Sequence, residues 1–228
     1  MQPRCGGATA LSGRVRTLPA MPTEETRASA AAALRDLNHA FAAHDADDAQ
    51  LEELARDARS LIARLDGTPR RDRLALMNAS RAAGEFPAST GSGFGDRAVG
   101  GLTNPTSADI DVEFGPDEVV ARVVLRKAFE GAPGRAHGGI VAAVFDDVTG
   151  FVIGQLREPA FTGELTVRYV APVPVEEPLV MRARLDGRER RKLFISAEAR
   201  HGEQVVATCH AIYITVDPTK FAGFPDPR

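Results

Sequence analysis

The stretch PGRAHGGIVAAVFDDVTG, residues 133–150, places polar and reactive residue types around an apolar run. His137, Gly138 and Gly139 precede the run, which predicts a helix that is apolar nearly all round and therefore enclosed. The first backbone N–H groups of such a helix lack intrahelical acceptors and lie at the positive end of its dipole. Because glycine lets a ligand approach the backbone closely, this helix end could stabilise a carbonyl oxygen that gains negative charge.

Two aspartates, Asp146 and Asp147, interrupt the same run and supply carboxylates. About nine residues of helix separate His137 from Asp146, which is a rise of about 13.5 Å, so both cannot contact one carbonyl group within a single chain. If they cooperate, a second subunit supplies one of them, which predicts a dimer with paired sites at its interface. The two aspartates are about 100° apart on the helix and face different surroundings. A partly enclosed carboxylate here could act as a general base.

Strand-like runs precede and follow this helix in the sequence. ADIDVEF (108–114) and VVARVVLRKAF (119–129) come before it, and four runs come after it: FTGELTVRYVAP, PLVMRARLDG, RKLFISAEARHG and QVVATCHAIYITV. The four later runs are joined by short turns, which predict antiparallel neighbours in sequence order. The layout predicts an α+β fold with an antiparallel sheet wrapped around one long central helix.

The N-terminal half predicts a separate helical extension. Residues 23–82 hold two amphipathic patterns with narrow apolar stripes, the first capped by Thr23, which we expect to pack on the main domain or a partner. His39 and His44 have no ligand-like neighbours and are predicted to be ordinary residues of a polar face. We expect a flexible tail at 1–22, a loop or linker at 83–107, the main domain at 108–217 and a C-terminal tail at 218–228.

Composition argues against several partner classes. The chain has 228 residues, a formal net charge of −3 and a pI near 6.0, so neither a nucleic-acid nor a membrane-surface partner is expected. No apolar run is expected to approach the ~20 residues of a membrane span. Cys5 and Cys209 are expected to be free thiols in a reducing cytoplasm, and no metal site is expected.

Together, PGRAHGGIVAAVFDDVTG and the T-x-x-L-x-V-x-Y-x-x-P pattern of 162–172 resemble the hotdog-fold acyl-CoA thioesterase superfamily. The resemblance covers about residues 108–216 and implies a hotdog fold that hydrolyses an acyl-CoA thioester without a cofactor, coenzyme A being part of the substrate. It is specific to the branch in which HGG is followed by an acid nine residues after the histidine. The resemblance also implies a homodimer or a dimer of dimers.

The resemblance also implies roles for individual residues. Asp146 corresponds to the catalytic carboxylate, Gly138 to the oxyanion donor, His137 to the residue that holds the helix end, and Thr162 to the hydroxyl that orients the attacking water. The sequence departs from some members of the superfamily at Gly131, where those members carry an Asn or Gln that donates to the thioester carbonyl.

The remaining candidates belong to substrate binding. Gly139 and Asp147 are expected to border the site, with Asp147 also expected as a polar contact across the dimer interface, and Glu130 is a candidate replacement for the donor missing at position 131. Arg190 and Arg191, in the hairpin sequence DGRERRKLF, are candidate ligands of the coenzyme A phosphates.

Two alternatives to the hydrolase stay open at this point. A non-catalytic acyl-CoA-binding or sensing module is favoured by Gly131. An acyl-thioester hydratase or dehydratase is less favoured, because no histidine follows Asp146 until His201.

Overall fold

A computed structural model describes residues 23–73, 75–76 and 95–217 of the chain. The tails expected at 1–22 and 218–228 lie outside the described residues, as does the first part of the expected linker. The helices are α1 (Glu24–Ala43), α2 (Asp48–Asp66) and α3 (Gly138–Leu156), with a short 3₁₀ helix at Lys127–Phe129. The strands are β1 (Asp109–Phe114), β2 (Val119–Val124), β3 (Ala160–Tyr169), β4 (Pro178–Glu189), β5 (Lys192–His201) and β6 (Gln204–Thr215).

The strands form one antiparallel sheet in the order β1-β2-β4-β5-β6-β3. The four strands predicted after the long helix are confirmed, but the expectation that they are neighbours in sequence order is wrong for β3. This strand pairs with β6 at the edge of the sheet, and β4 pairs with β2. The connection at 170–177 contains two prolines and is longer than a tight hairpin turn, so it can carry the chain across the sheet.

Small side chains on the buried face of the sheet leave room for α3. Ala183 pairs with Ala197, and Ala197 pairs with Cys209, in one row that crosses three central strands; all three residues are buried. The helix fills this space with eight buried residues, which are Val141, Val144, Phe145, Val148, Thr149, Phe151, Val152 and Ile153. The predicted enclosed helix and α+β fold are thereby confirmed.

Helix α3 is also long and apolar enough, by length and composition alone, to cross a membrane. The expectation that no apolar run approaches that length is therefore wrong. The buried residues of α3 pack against the sheet of this chain, which accounts for its apolar character without a bilayer.

The N-terminal extension contains the two predicted helices, but α1 does not dock through its apolar stripe. Leu34, Leu37 and Phe41 are 43–60% exposed, whereas Arg35 and His39 are buried. The prediction that His39 is an ordinary polar-face residue is wrong, since its Nδ1 accepts the backbone N–H of Ala128 at 3.1 Å. His44, at the C-cap of α1, is exposed as predicted.

Helix α2 has a well-formed start and no buried residue in this chain. Asp47 and Gln50 form a reciprocal capping box, with hydrogen bonds of 2.9 and 3.1 Å. Such a cap fixes where the helix begins but contributes only about 1 kcal/mol.

Burial of His39 generates a prediction about pH. Burial lowers the pKa of His39, as do the charges of Arg126 and Arg35, while Asp109 and Asp36 act in the opposite direction. Below about pH 6.5 the unfolded chain therefore takes up this proton before the folded chain does. We expect His39 to contribute its full stabilisation above that pH and to lose it as the pH falls towards the folded-state pKa. Urea unfolding followed by circular dichroism from pH 7.5 to 5 measures this dependence.

The matched variant is His39→Asn, which keeps a hydrogen-bond acceptor near the position of Nδ1 but does not titrate in this range. Its free energy of unfolding should fall less steeply with decreasing pH than that of the wild type. Equal slopes for the two proteins would contradict a titrating role for His39.

Candidate active site

Asp146 and Thr162 meet on the inner side of the sheet edge. The Thr162 hydroxyl donates to Oδ1 of Asp146 at 2.7 Å. A bulge between Thr162 and Glu164 interrupts the pairing of β3 with β6, and bulges of this kind re-aim a side chain. Gly163 fits there because a Cβ at this position would lie 2.9 Å from Cγ1 of Ile214. The sheet thus places beside Asp146 the threonine to which the resemblance assigned the role of orienting a water.

A buried tyrosine fixes the helix backbone at the same point. The Tyr213 hydroxyl donates to the carbonyl oxygen of Asp146 at 2.9 Å, and lies 2.9 Å from Oγ1 of Thr149. Burial raises the pKa of Tyr213 to about 12, so the hydroxyl keeps its proton and remains a donor near neutral pH. Tyr213 lies in the last strand-like run of the sequence, where nothing marks it out, and its pairing with Thr162 in the sheet reveals its contact.

Asp147 points into a different environment, as the helical spacing predicted. Its Oδ2 lies 3.5 Å from Nε of Arg97, whose guanidinium stacks 4.6 Å from the ring centroid of Phe151. Burial raises the pKa of Asp147, and the charge of Arg97 opposes that shift. Gly100 approaches so closely that a Cβ there would fall 2.4 Å from the same oxygen. Within this chain Asp147 therefore anchors the loop that carries Arg97 and Gly100 to α3.

The N-terminal end of α3 carries the predicted oxyanion donor. His137 is the N-cap residue, and its Nδ1 accepts the N–H of Gly139 at 3.1 Å. Because Nδ1 accepts, the neutral ring carries its proton on Nε2, which can donate to a ligand. Gly138 is the first helical residue, so its N–H has no acceptor within the helix.

Tyr169 holds this helix end against the sheet. Its hydroxyl donates to the carbonyl oxygen of Gly138 at 2.5 Å, from the last residue of β3. The tyrosine of the T-x-x-L-x-V-x-Y-x-x-P pattern was assigned no role from sequence. The structure shows that it ties the edge strand to the residue that carries the candidate donor.

The segment before His137 explains why glycine occupies position 131. A Cβ on Gly131 would lie 2.9 Å from Cα of His137, so a larger residue requires this segment to shift. Glu130, the candidate replacement donor, instead forms an ion pair with Lys127 at 2.6 Å and accepts the N–H of Gly134 at 2.5 Å. The Lys127 hydrogen bond lowers the pKa of Glu130, so its carboxylate is ionised near neutral pH and accepts hydrogen bonds.

Arg190 and Arg191 lie at the exposed tip of the hairpin between β4 and β5, where Arg190 adopts a positive φ of 51°. Nε of Arg191 donates to the carbonyl oxygen of Thr215 at 2.9 Å, at the end of β6. Among the described residues, no group of three or more His, Cys, Asp or Glu side chains could hold a metal ion.

Comparison with known proteins supports the predicted hotdog fold and the predicted resemblance to the thioesterase superfamily. Residues 133–208 match the model of the thioesterase superfamily. A crystal structure of a thioesterase superfamily protein superimposes with a TM-score of 0.69 at 24% identity, over 86% of this chain and 94% of that one. This similarity shows the shared fold, and the predicted hotdog fold is confirmed.

Curated relatives match the same region. The chain is 31% identical to the mouse acyl-coenzyme A thioesterase THEM4 over 93 residues, 40% of each chain. It is 37% identical to the human acyl-coenzyme A thioesterase THEM5 over 90 residues, 37% of this chain and 35% of the relative. The chain thus spans about two fifths of the length of the curated relatives it matches. The predicted resemblance is confirmed: the segment with the HGG motif carries the pattern of the thioesterase superfamily within a hotdog fold.

The partly buried pair of Arg97 and Asp147 yields a stability prediction. We expect Arg97→Met to lower the free energy of unfolding by roughly 2 kcal/mol, because it leaves the Asp147 carboxylate in an apolar setting without this cation. The loss should be smaller than the ~3–5 kcal/mol of a fully buried pair, since both side chains keep some exposure. Urea denaturation measures the change.

The double variant Arg97→Met/Asp147→Asn removes the charge as well as its partner. It should be more stable than Arg97→Met alone, because no uncompensated charge remains in the pocket. A double variant that is no more stable would show that the ion pair is not the source of the loss.

Proposed function

We propose that this protein is an acyl-CoA thioesterase, which hydrolyses an acyl-CoA thioester to the free acid and coenzyme A with a water activated by Asp146. The observation that carries the proposal is the 2.7 Å hydrogen bond between Thr162 and Asp146, at the edge of a hotdog sheet whose helix begins at a capped HGG motif. The names of the curated relatives support the same reaction.

Asp146 and Thr162 are suited to hold and activate a water. With Oδ1 occupied by the Thr162 hydroxyl, Oδ2 of Asp146 is the carboxylate oxygen that accepts a proton from water. Thr162 donates its hydrogen to Asp146, so its lone pairs can accept the second hydrogen of that water and orient it. The water oxygen then attacks the thioester carbonyl carbon, and the proton held by Asp146 passes to the leaving thiolate.

The helix end stabilises the charge that develops during this attack. In the proposal the N–H of Gly138 donates to the carbonyl oxygen of the thioester, and the positive end of the α3 dipole adds to this interaction. A preorganised donor stabilises the oxyanion more than the ground-state carbonyl. Since Gly131 has no side chain and Glu130 is ionised, this backbone donor, with Nε2–H of His137, is the polarising group in the proposal. A thioester needs no metal for this step.

The two halves of the proposed site come from different subunits. About 12 Å of helix separates Gly138 and Asp146 within a chain, so a homodimer, or a dimer of dimers, combines the helix end of one protomer with the carboxylate of the next. The exposed edge strand supports this arrangement. Phe161, Tyr169 and Val170, on or next to β3, are 47–56% exposed in the single chain, and a partner subunit would cover them.

Coenzyme A phosphates are proposed to lie near the hairpin tip, where Arg190 and Arg191 present exposed cations. A sensing module is the second candidate, and the observation that favours it is the missing side-chain donor at the crowded position of Gly131.

The first test is thiol release from a panel of short, medium, long and aryl acyl-CoAs. We expect turnover of at least one of them, and a fall in kcat of about 10²-fold or more in Asp146→Asn, because the amide cannot accept the proton of water. Asp57→Asn, which neutralises an exposed carboxylate on α2, is the matched control and should retain wild-type activity. Tight acyl-CoA binding without any turnover would reject the hydrolase and leave the sensing module.

The second test asks whether two subunits build one site. Gly138→Pro removes the donor N–H at a helix position where proline is tolerated, and His137 before it is already extended. We expect kcat to fall by about 10²–10³-fold in Gly138→Pro, with Gly138→Ala as the control that keeps the N–H.

Dimers that combine a Gly138→Pro chain with an Asp146→Asn chain contain one site in which both groups are intact. Random mixing of the two variants, refolded or coexpressed together, should therefore restore roughly a quarter of wild-type activity, although each variant alone is nearly inactive. A mixture as inactive as its components would show that each site lies within one chain.

A further inference from the structure

Helix α1 contacts the hotdog domain and the segment before it through polar side chains rather than through its apolar stripe. Arg35 donates from Nη1 to the carbonyl oxygens of Leu102 and Asn104 at 3.1 and 3.0 Å. Asp36 pairs with Arg126 at 2.6 Å, and His39 is only 4% exposed. Hydrogen bonds and ion pairs are directional, so they fix the position of α1 more closely than nonspecific apolar contact would.

His39 contacts the 3₁₀ helix at Lys127–Phe129. Its Nδ1 accepts the N–H of Ala128 at 3.1 Å, and its ring meets the ring of Phe129 edge-on, with centroids 5.1 Å apart. The N–H of Ala128 lies in the first turn of that short helix and has no intrahelical acceptor, so His39 satisfies a backbone donor that otherwise needs one. The imidazole thus determines where this turn sits.

The same turn holds the start of α3. The carbonyl oxygen of Phe129 accepts the N–H of His137 at 2.8 Å, and Glu130 forms an isolated β-bridge with Ala136. His137 directly precedes Gly138. Two hydrogen bonds and the short 3₁₀ turn therefore connect the imidazole of His39 to the backbone that carries the proposed oxyanion donor.

We infer that His39 is a positioning residue for catalysis, which sets the orientation of the Gly138 N–H through Ala128, Phe129 and His137. The inference rests on the function proposed above for Gly138. The N-terminal extension is then part of the catalytic apparatus, because it braces the helix end from outside the hotdog domain. A hydrogen-bond donor held in a fixed position stabilises the transition state, and a small displacement of that donor lowers the rate strongly.

The test compares His39→Leu, which removes the acceptor but keeps an apolar body, with His39→Asn, which retains an acceptor near Nδ1. We expect kcat to fall about tenfold in His39→Leu with KM unchanged, since the lost interaction acts in the transition state, and to recover in His39→Asn. Asn38→Ala, at the exposed neighbouring position on α1, is the control. Asp36→Asn weakens the same docking without touching the buried ring, and should give a smaller loss in the same direction.

A second readout does not depend on turnover. Backbone amide hydrogen exchange of the peptide that spans 127–141 should become faster in His39→Leu than in the wild type, while His39→Asn and Asn38→Ala stay close to the wild type. If the wild type hydrolyses none of the acyl-CoAs, the proposed function fails, and this exchange still decides whether His39 controls the helix end.

The inference is overturned by unchanged exchange in His39→Leu, or by a rise in KM without a fall in kcat. It is also overturned if His39→Asn is as slow as His39→Leu, because the acceptor would then not be the cause. If His39→Leu does not fold, unchanged kcat and exchange in Asp36→Asn overturn it, and a parallel change in both supports it.

Discussion

Helix α3 lies against the buried face of a six-stranded sheet, and the rest of the structure depends on how closely it can approach. Alanine and cysteine in a row across β4, β5 and β6 keep that face shallow, so Phe145, Val148 and Phe151 can fill the space above it. A helix held this closely has little freedom to rotate. The polar residues of α3 therefore occupy fixed positions, and a functional site built on a helix requires such fixed positions.

Several polar side chains on or near α3 have defined partners in its apolar setting. The Tyr213 hydroxyl donates to the backbone carbonyl of Asp146 and lies within hydrogen-bond distance of the Thr149 hydroxyl, and Asp147 forms an ion pair with Arg97. A buried polar group without a partner would cost about 1–3 kcal/mol. These contacts therefore stabilise the helix and, in the same positions, restrict the geometry around Asp146.

Gly138 and Asp146 are fixed to one rigid helix at a separation that no side-chain movement can close. Because of this separation, the proposed site spans two protomers. The edge strand β3 contacts both the carboxylate and the residue that carries the proposed donor. Thr162, at its start, contacts Asp146, and Tyr169, at its end, holds Gly138. One strand thus contacts α3 both at its N-terminal end and at its middle, where the proposed catalytic groups lie, and the α1 extension reaches the N-terminal end through the 3₁₀ turn.

The sequence by itself determined the enclosed helix, the strands around it and the N-terminal helices, whereas the placement of Asp146 and Thr162 in one site came from the resemblance to the superfamily. Hydrophobic periodicity and the spacing of a motif are local properties that one sequence displays directly. Tertiary structure alone decided that β3 returns to pair with β6, that Tyr169 and Tyr213 bond to the helix backbone, and that α1 buries Arg35 and His39 while Leu34 and Phe41 stay exposed. Those outcomes depend on which backbone groups need hydrogen-bond partners when distant segments of the chain meet. A local pattern along the sequence does not show which segments meet.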